Sequence, residues 1–320
     1  MHVLILGAAG MIGRKVTASV VAAGISGQPV DRLTLVDIMA PEPPDGLDAS
    51  CLAADLAVAG TAARLIEHRP DVILHLAAVV SGEAESDFDK GYAVNSDGSR
   101  ALLEAIRANE GYCPRVVFAS SIAVFGAPFP DRIPDHWHAI PRSSYGTQKA
   151  MVELLVNDYS RRGFIDGISL RLPTICIRPG KPNLAASGFF SGILREPLNG
   201  QPAVLPVPDT VRNWFASPRA AAGFFLRAAG LDTARLGDDR AITLPGLSAS
   251  VAEEIEALRR VAGQDAVNLI RSEPDPAVAA LVKNWPHDFE AQRALALGFA
   301  AETTIDEIVQ VYIEEDMPQA

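Results

Sequence analysis

The chain has 320 residues, 48% of them hydrophobic, and a formal charge of −11 at pH 7. That length fits about two domains or one large one with a sizeable core, and an acidic chain without a Lys/Arg-rich run excludes nucleic acid as partner while leaving room for a small anion held by one or two arginines. Cys51, Cys113 and Cys176 lie far apart without metal-ligand spacing; they read as free thiols in a reducing, cytoplasmic setting, with no metal, and no apolar run is long enough to span a bilayer.

In chain order, Val3–Leu6 reads as a buried strand. It runs into Gly7-Ala8-Ala9-Gly10-Met11-Ile12-Gly13 and then a helix to about Ala23. Strand, glycine turn, helix is the context in which backbone N–H groups approach a pyrophosphate, although the spacing here is G-x-x-G-x-x-G. The strand Leu33–Val36 ends in Asp37, where a carboxylate grips the two hydroxyls of a cofactor ribose and repels a 2′-phosphate, favouring NAD over NADP; a turn cap is the plainer reading. Asp55-Leu56 follows a further strand, Asp55 contacting adenine or capping a helix over Val58–Glu67. Asp71–Ala78 reads as a fully buried strand ending in the small residues Ala77 and Ala78 after Leu76, with His75 a core histidine. A long helix over Asp87–Ala108 carries Asn95, and the strand Arg115–Ser121 ends in hydroxyls. At the carboxyl end of a parallel strand, Ser121 is placed to bond a substrate oxygen or to shape a turn.

Tyr145 and Lys149 stand four apart in a helical segment, hence on one face. An ammonium held beside a phenol favours the phenolate, which makes the pair a candidate general base for a substrate hydroxyl. The next strand, Gly167–Ile175, contains Pro173.

Taken together, the ordered set Gly7-x-x-Gly10-x-x-Gly13, Asp37, Asp55-Leu56, His75-Leu76-Ala77-Ala78, Asn95, Ser120-Ser121 and Tyr145-x-x-x-Lys149 resembles the extended short-chain dehydrogenase/reductases, the NAD-dependent epimerase/dehydratase family. The resemblance implies an α/β fold: a Rossmann-type doubly wound parallel sheet over 1–175, with a segment near 211–245 returning to it, and a smaller, mostly helical substrate-binding lid over 176–320. It implies NAD as cofactor, held by Gly7, Gly10, Met11, Ile12, Gly13, Asp37, Asp55, Leu56, Leu76, Ala77, Ala78, Asn95, Tyr145, Lys149, Pro173 and Ile175. Tyr145 would be the base, Lys149 would lower its pKa and Ser121 would orient the reacting hydroxyl. A homodimer packed through the 87–108 and 145–162 helices is a further expectation.

Beyond Cys176 the pattern changes to a rigid basic loop, Arg178-Pro179-Gly180-Lys181-Pro182-Asn183, then short elements at Phe189–Leu194 and Val204–Leu205. Thr210–Ser217 leads into a helix over Pro218–Ala229, and further helices read over Ala249–Val261, Ala277–Lys283 and Thr304–Glu314. In the resembled family an Arg at the place of Arg212 reaches the substrate. Here Arg212-Asn213-Trp214-Phe215-Ala216-Ser217 replaces the Arg-Asp-Phe/Trp-Ile-His-Val of nucleotide-sugar enzymes. Arg178, Lys181 and Arg212 are candidates for a carboxylate, since a guanidinium pairs with it bidentately, and Ser81 for the substrate side; each could equally be a surface polar group. The implied activity is oxidation of the C2 hydroxyl of a four-carbon sugar acid to its 2-oxo acid. The alternatives are a nucleotide-sugar epimerase or dehydratase on the same scaffold, or a regulator that senses NAD without turning it over.

Overall fold

The structure, a computed structural model, describes residues 1–180 and 187–318. Its first half runs β1 (His2–Leu6), α1 (Met11–Ala23), β2 (Arg32–Asp37), β3 (Ala49–Ala53), α2 (Thr61–Ile66), β4 (Val72–His75), α3 (Ser81–Ser86), α4 (Phe88–Gly91), a π-helical stretch Tyr92–Gly98, α5 (Ser99–Arg107), β5 (Arg115–Ser121), α6 (Ser144–Arg161) and β6 (Asp166–Leu172). The second half continues with β7 (Thr174–Ile175), α7 (Gly188–Leu198), β8 (Ala203–Leu205), β9 (Arg212–Ala216), α8 (Pro218–Ala229), β10 (Ala241–Thr243), β11 (Leu247–Ser250), α9 (Val251–Val267), β12 (Ile270–Ser272), α10 (Pro276–Val282), α11 (Gln292–Ala296) and α12 (Ile305–Glu315).

Seven strands pair in parallel in the order β10-β6-β5-β4-β1-β2-β3. The apolar run of β1 explains its central place: Val3, Leu4, Ile5 and Leu6 are at most 1% exposed, as a strand covered on both faces must be. Val16 and Val20 of α1 and Phe224, Phe225 and Ala228 of α8 fill one face; Leu65 of α2, Leu102 and Ile106 of α5 and Val152 and Val156 of α6 fill the other. The strand order reverses between β1 and β4, and ligands bind beyond the carboxyl ends of the strands at such a switch point. A second core gathers Phe190 and Leu194 of α7, Phe215 of β9, Leu258 of α9 and Ile308 and Tyr312 of α12, beside the small sheets β11-β9-β7 and β12-β8.

Two expected elements are interrupted. The single helix expected over 87–108 is α4, a π-helical turn and α5, preceded by α3. The wider turn carries Asn95, 1% exposed, whose Oδ1 accepts from the Val79 N–H at 2.9 Å and whose Nδ2 donates to the Val79 carbonyl at 3.2 Å and to Gln148 at 2.8 Å. The strand expected over 167–175 divides at Pro173: Leu172 ends β6, and Thr174–Ile175 pair with β9 in a different sheet, since proline has no N–H to continue a ladder.

Candidate active site

At the end of β1 the chain turns through Gly7 into α1. A Cβ at Gly13 would lie 2.1 Å from the Gly7 carbonyl oxygen, so only glycine lets the first turn of the helix sit this close to the loop. Gly10 caps α1 without a side chain and its first turn holds no acid. The N–H groups there have no intrahelical acceptor and form, with the helix dipole, an anion-binding end. Gly7, Gly10, Met11, Ile12 and Gly13 all line one cavity of about 590 Å3. Asp37, at the end of β2, accepts from the Ala9 N–H at 2.9 Å and the Ile38 N–H at 2.7 Å. Two carboxylate oxygens offer about four acceptor sites, which leaves capacity for two ribose hydroxyls. The cradle, the free helix end and the carboxylate fit a dinucleotide.

Other expected cofactor residues divide. Leu76, Ala78, Pro173 and Ile175 line the same cavity. Ala77 packs against Gly7, where a Cβ would meet its backbone N at 2.7 Å. Asp55 accepts from the Ala57 N–H at 2.8 Å, the turn-capping arrangement, and Leu56 is buried in the core. Asn95 is not among the lining residues; it braces the Val79 backbone, which is. His75 bonds Ser99 Oγ at 2.8 Å, and burial together with the nearby Lys149 charge pushes it down to about 3, so it is a neutral core histidine.

The Tyr/Lys corner is built where α6 meets the end of β5. Ser143 caps α6 by accepting from the Gly146 N–H at 3.1 Å, and Glu85 accepts from the Ser144 N–H at 2.9 Å. A Cβ at Gly146 would lie 2.1 Å from the Ala123 carbonyl, and this close approach sets Tyr145 near Ser121 on the wall of the same cavity. Lys149, 2% exposed, donates to the Ala119 carbonyl at 2.8 Å. Its Nζ lies 4.7 Å from the Phe118 ring centre and 5.5 Å from that of Tyr145. The spacing predicts a phenol made more acidic by this lysine; in the structure burial is the larger influence on the phenol. Burial pushes Tyr145 up to about 12, opposed by the Arg178 charge and the nearby Ser121 hydroxyl. Burial also brings Lys149 down to about 7, opposed by Glu153.

Of the residues expected on the substrate side, Ser81, Ser121, Tyr145 and Arg178 share the cavity with Lys149. Arg178 donates to the Ile175 carbonyl at 3.1 Å and to Ser187 Oγ at 2.8 Å. Among the described residues no carboxylate lies within ion-pair distance of it, and the 181–186 segment contains no acid in its sequence. Arg212 lies elsewhere. It points from β9 to an outer depression shared with Phe129, Arg132 and His287, pairing with Glu253 at 3.0 Å. Side chains alternate along a strand, so its neighbour Asn213 is the one that faces the cavity, donating to Thr174 Oγ1 at 2.9 Å. Lys181 lies outside the described residues. Sequence reasoning also missed Glu85, Asn284 and Trp285 on the cavity wall; only the polar Asn213 inside an apolar strand carried a signal.

A parallel switch-point sheet with this loop and this Tyr/Lys corner defines a nucleotide-dependent oxidoreductase scaffold. The model of the NAD dependent epimerase/dehydratase family matches residues 3–218, and the chain belongs to that family: it is an NAD-dependent oxidoreductase. It is 47% identical to D-erythronate dehydrogenase of Cupriavidus necator over 98% of both chains. It is 41% identical to D-erythronate dehydrogenase of Haemophilus influenzae over 99% of this chain and 100% of that one. Among solved structures it resembles the nucleoside-diphosphate-sugar epimerase from Agrobacterium tumefaciens, with a TM-score of 0.96 and 58% identity over 99% of this chain and 94% of that one.

Proposed function

We propose that the chain oxidises the C2 hydroxyl of a four-carbon sugar acid, D-erythronate, to the 2-oxo acid, with Tyr145, Lys149 and Ser121 as its catalytic residues. The observation that carries this reading is Arg178: a guanidinium lining the cavity that holds Tyr145, without a carboxylate partner among the described residues. A cation withdrawn from water is stabilised by an anionic ligand, and a substrate carboxylate supplies one. The two relatives named for D-erythronate supply the chain length.

The glycine loop, Asp37 and the α1 terminus would hold NAD, which when bound accepts the hydride. Ser121 orients the C2 hydroxyl. Tyr145 Oη as phenolate takes the hydroxyl proton while C2 gives up its hydrogen with both electrons, and the C2–O bond becomes a carbonyl. Lys149 as ammonium stabilises the phenolate, and Arg178 fixes which carbon faces the cofactor. The division of labour is that of a cofactor-binding part, 1–175 with 211–245, and a substrate-binding part over the remainder of 176–320.

The likeness to the Agrobacterium epimerase favours a second reading, a nucleotide-sugar epimerase. Against it stands Arg212, turned away from the cavity and paired with Glu253. Absorbance of NADH with a panel of four-carbon aldonic acids and UDP-sugars, with NAD and NADP in parallel, separates the two. Net NADH from D-erythronate, with Tyr145→Phe lowering kcat roughly 10²-fold or more at unchanged NAD affinity, supports the dehydrogenase. No NADH from any acid, or full turnover by Tyr145→Phe, sinks it.

A further inference from the structure

The face of α6 that carries Tyr145 and Lys149 continues one turn further, to Glu153. This carboxylate is 5% exposed. It accepts from Ser120 Oγ, and from Arg171 through Nε at 3.0 and 3.2 Å and Nη2 at 2.8 Å. Arg171 is itself 8% exposed, stands opposite Ser120 in the β5–β6 register, and rests 4.9 Å from the Phe125 ring centre. Three successive residues of β5 thus address three turns of α6: Ser121 meets Tyr145, the Ala119 carbonyl meets Lys149 and Ser120 meets Glu153.

We propose that Glu153 is a positioning residue of this site: clamped between Ser120 and Arg171, its carboxylate holds Lys149 in the ammonium form and fixes α6 in register with the end of β5. The proposal rests on the reading that Lys149 works as a cation. The groups around Lys149 leave few other sources of support. From β5 it meets the Ala119 carbonyl and the Phe118 ring. From β4 it meets His75, which stays neutral. On its own helix it meets the Tyr145 ring, and Glu153 stands one turn further along the same face, paired with Arg171 and beyond ion-pair distance of the ammonium. Arg178 lies beside the phenol and, as a like charge, would oppose the ammonium. Among the described residues Glu153 is therefore the one negative group that works against the burial of Lys149, and a buried ammonium without a counter-charge gives up its proton.

The test follows Lys149 directly. The chain has five lysines, Lys15, Lys90, Lys149, Lys181 and Lys283, so selective 13Cε-lysine labelling gives a simple spectrum, with the Lys149 signal assigned by its loss in Lys149→Met. In Glu153→Gln the Lys149 titration midpoint falls by about one pH unit or more, and in Arg171→Gln, where the carboxylate loses its cation, it rises. The alkaline limb of kcat/KM moves in the same directions, which a purely structural brace would not produce. A folded Glu153→Gln with an unmoved midpoint overturns the proposal. Should that variant not fold, Arg171→Gln decides: a rise supports, no change overturns. In the unmutated chain itself, a Lys149 already neutral at about pH 6 overturns it as well. The NMR reading needs no substrate, so a chain that shows these shifts yet oxidises no sugar acid would count against the substrate assignment alone.

Discussion

Lys149 sits in a conflict between folding and chemistry. Burial brings it from an ordinary 10.5 down to about 7, so the unfolded chain binds this proton more tightly than the folded one. The sign follows from linkage: stability is fully present above the ordinary value and is lost as pH falls from there through 7. Lys149→Met should therefore raise the melting temperature by several degrees at pH 6, and by less at pH 10, while abolishing turnover; a uniform loss of stability at both pH values would contradict this. The spacing from Tyr145 to Lys149 could be read directly, because a helix converts a separation of four into adjacency. The direction of the phenol's shift could not, because it depends on burial that no local pattern records. Arg212 was expected on the substrate side, and the structure turns it outward while Asn213 lines the cavity: charge marks a residue as interesting, but the pleat decides which of two neighbours faces inward.

At the scale of elements, the glycine loop and α1 are a single device. A methyl at Gly13 would collide with the Gly7 carbonyl, which is backbone and can move aside only by displacing α1. Gly13→Ala should weaken NAD binding by about tenfold or more while leaving most of the far-UV circular dichroism intact; fluorescence titration of NADH measures it, and an unchanged affinity would refute the role given to the loop. Elements of the sheet were readable wherever an apolar run met a turn signal: β5 and α8 fall on their expected bounds, Arg115–Ser121 and Pro218–Ala229. The π-helical turn at Tyr92–Gly98 was not, because a helical pattern with one extra residue in a turn still looks helical over a short window. The cavity wall from Ala280 to Pro286 was recognised as lid but not as site, since its approach to Tyr145 depends on how distant segments pack.

At the scale of the whole molecule, the second core contains an ionisable pair with no place in the chemistry. Glu254, 0% exposed, lies 3.9 Å from Cys176 Sγ, and its Oε2 has no partner among the described residues. Burial holds its carboxyl well above the ordinary carboxylate range, and the Cys176 thiol is pushed up for the same reason. With the folded value raised, the contribution to stability is complete below the ordinary 4.5 and is lost as pH rises toward the folded value. Glu254→Gln should flatten the decline of melting temperature between pH 5 and 9, by about several degrees at the upper end; parallel slopes for variant and parent would show that the group is compensated.

The seventh strand has a consequence for how the chain is made. β10 completes the parallel sheet against β6, yet it follows α7, β9 and α8 in the chain. On the ribosome the outer border of β6 must wait, uncovered, until residues 241–243 have emerged, and an unpaired border of that kind recruits other chains. A fragment ending near 175 would carry every glycine of the cofactor loop and both members of the Tyr/Lys pair, and would still be the form most prone to self-association.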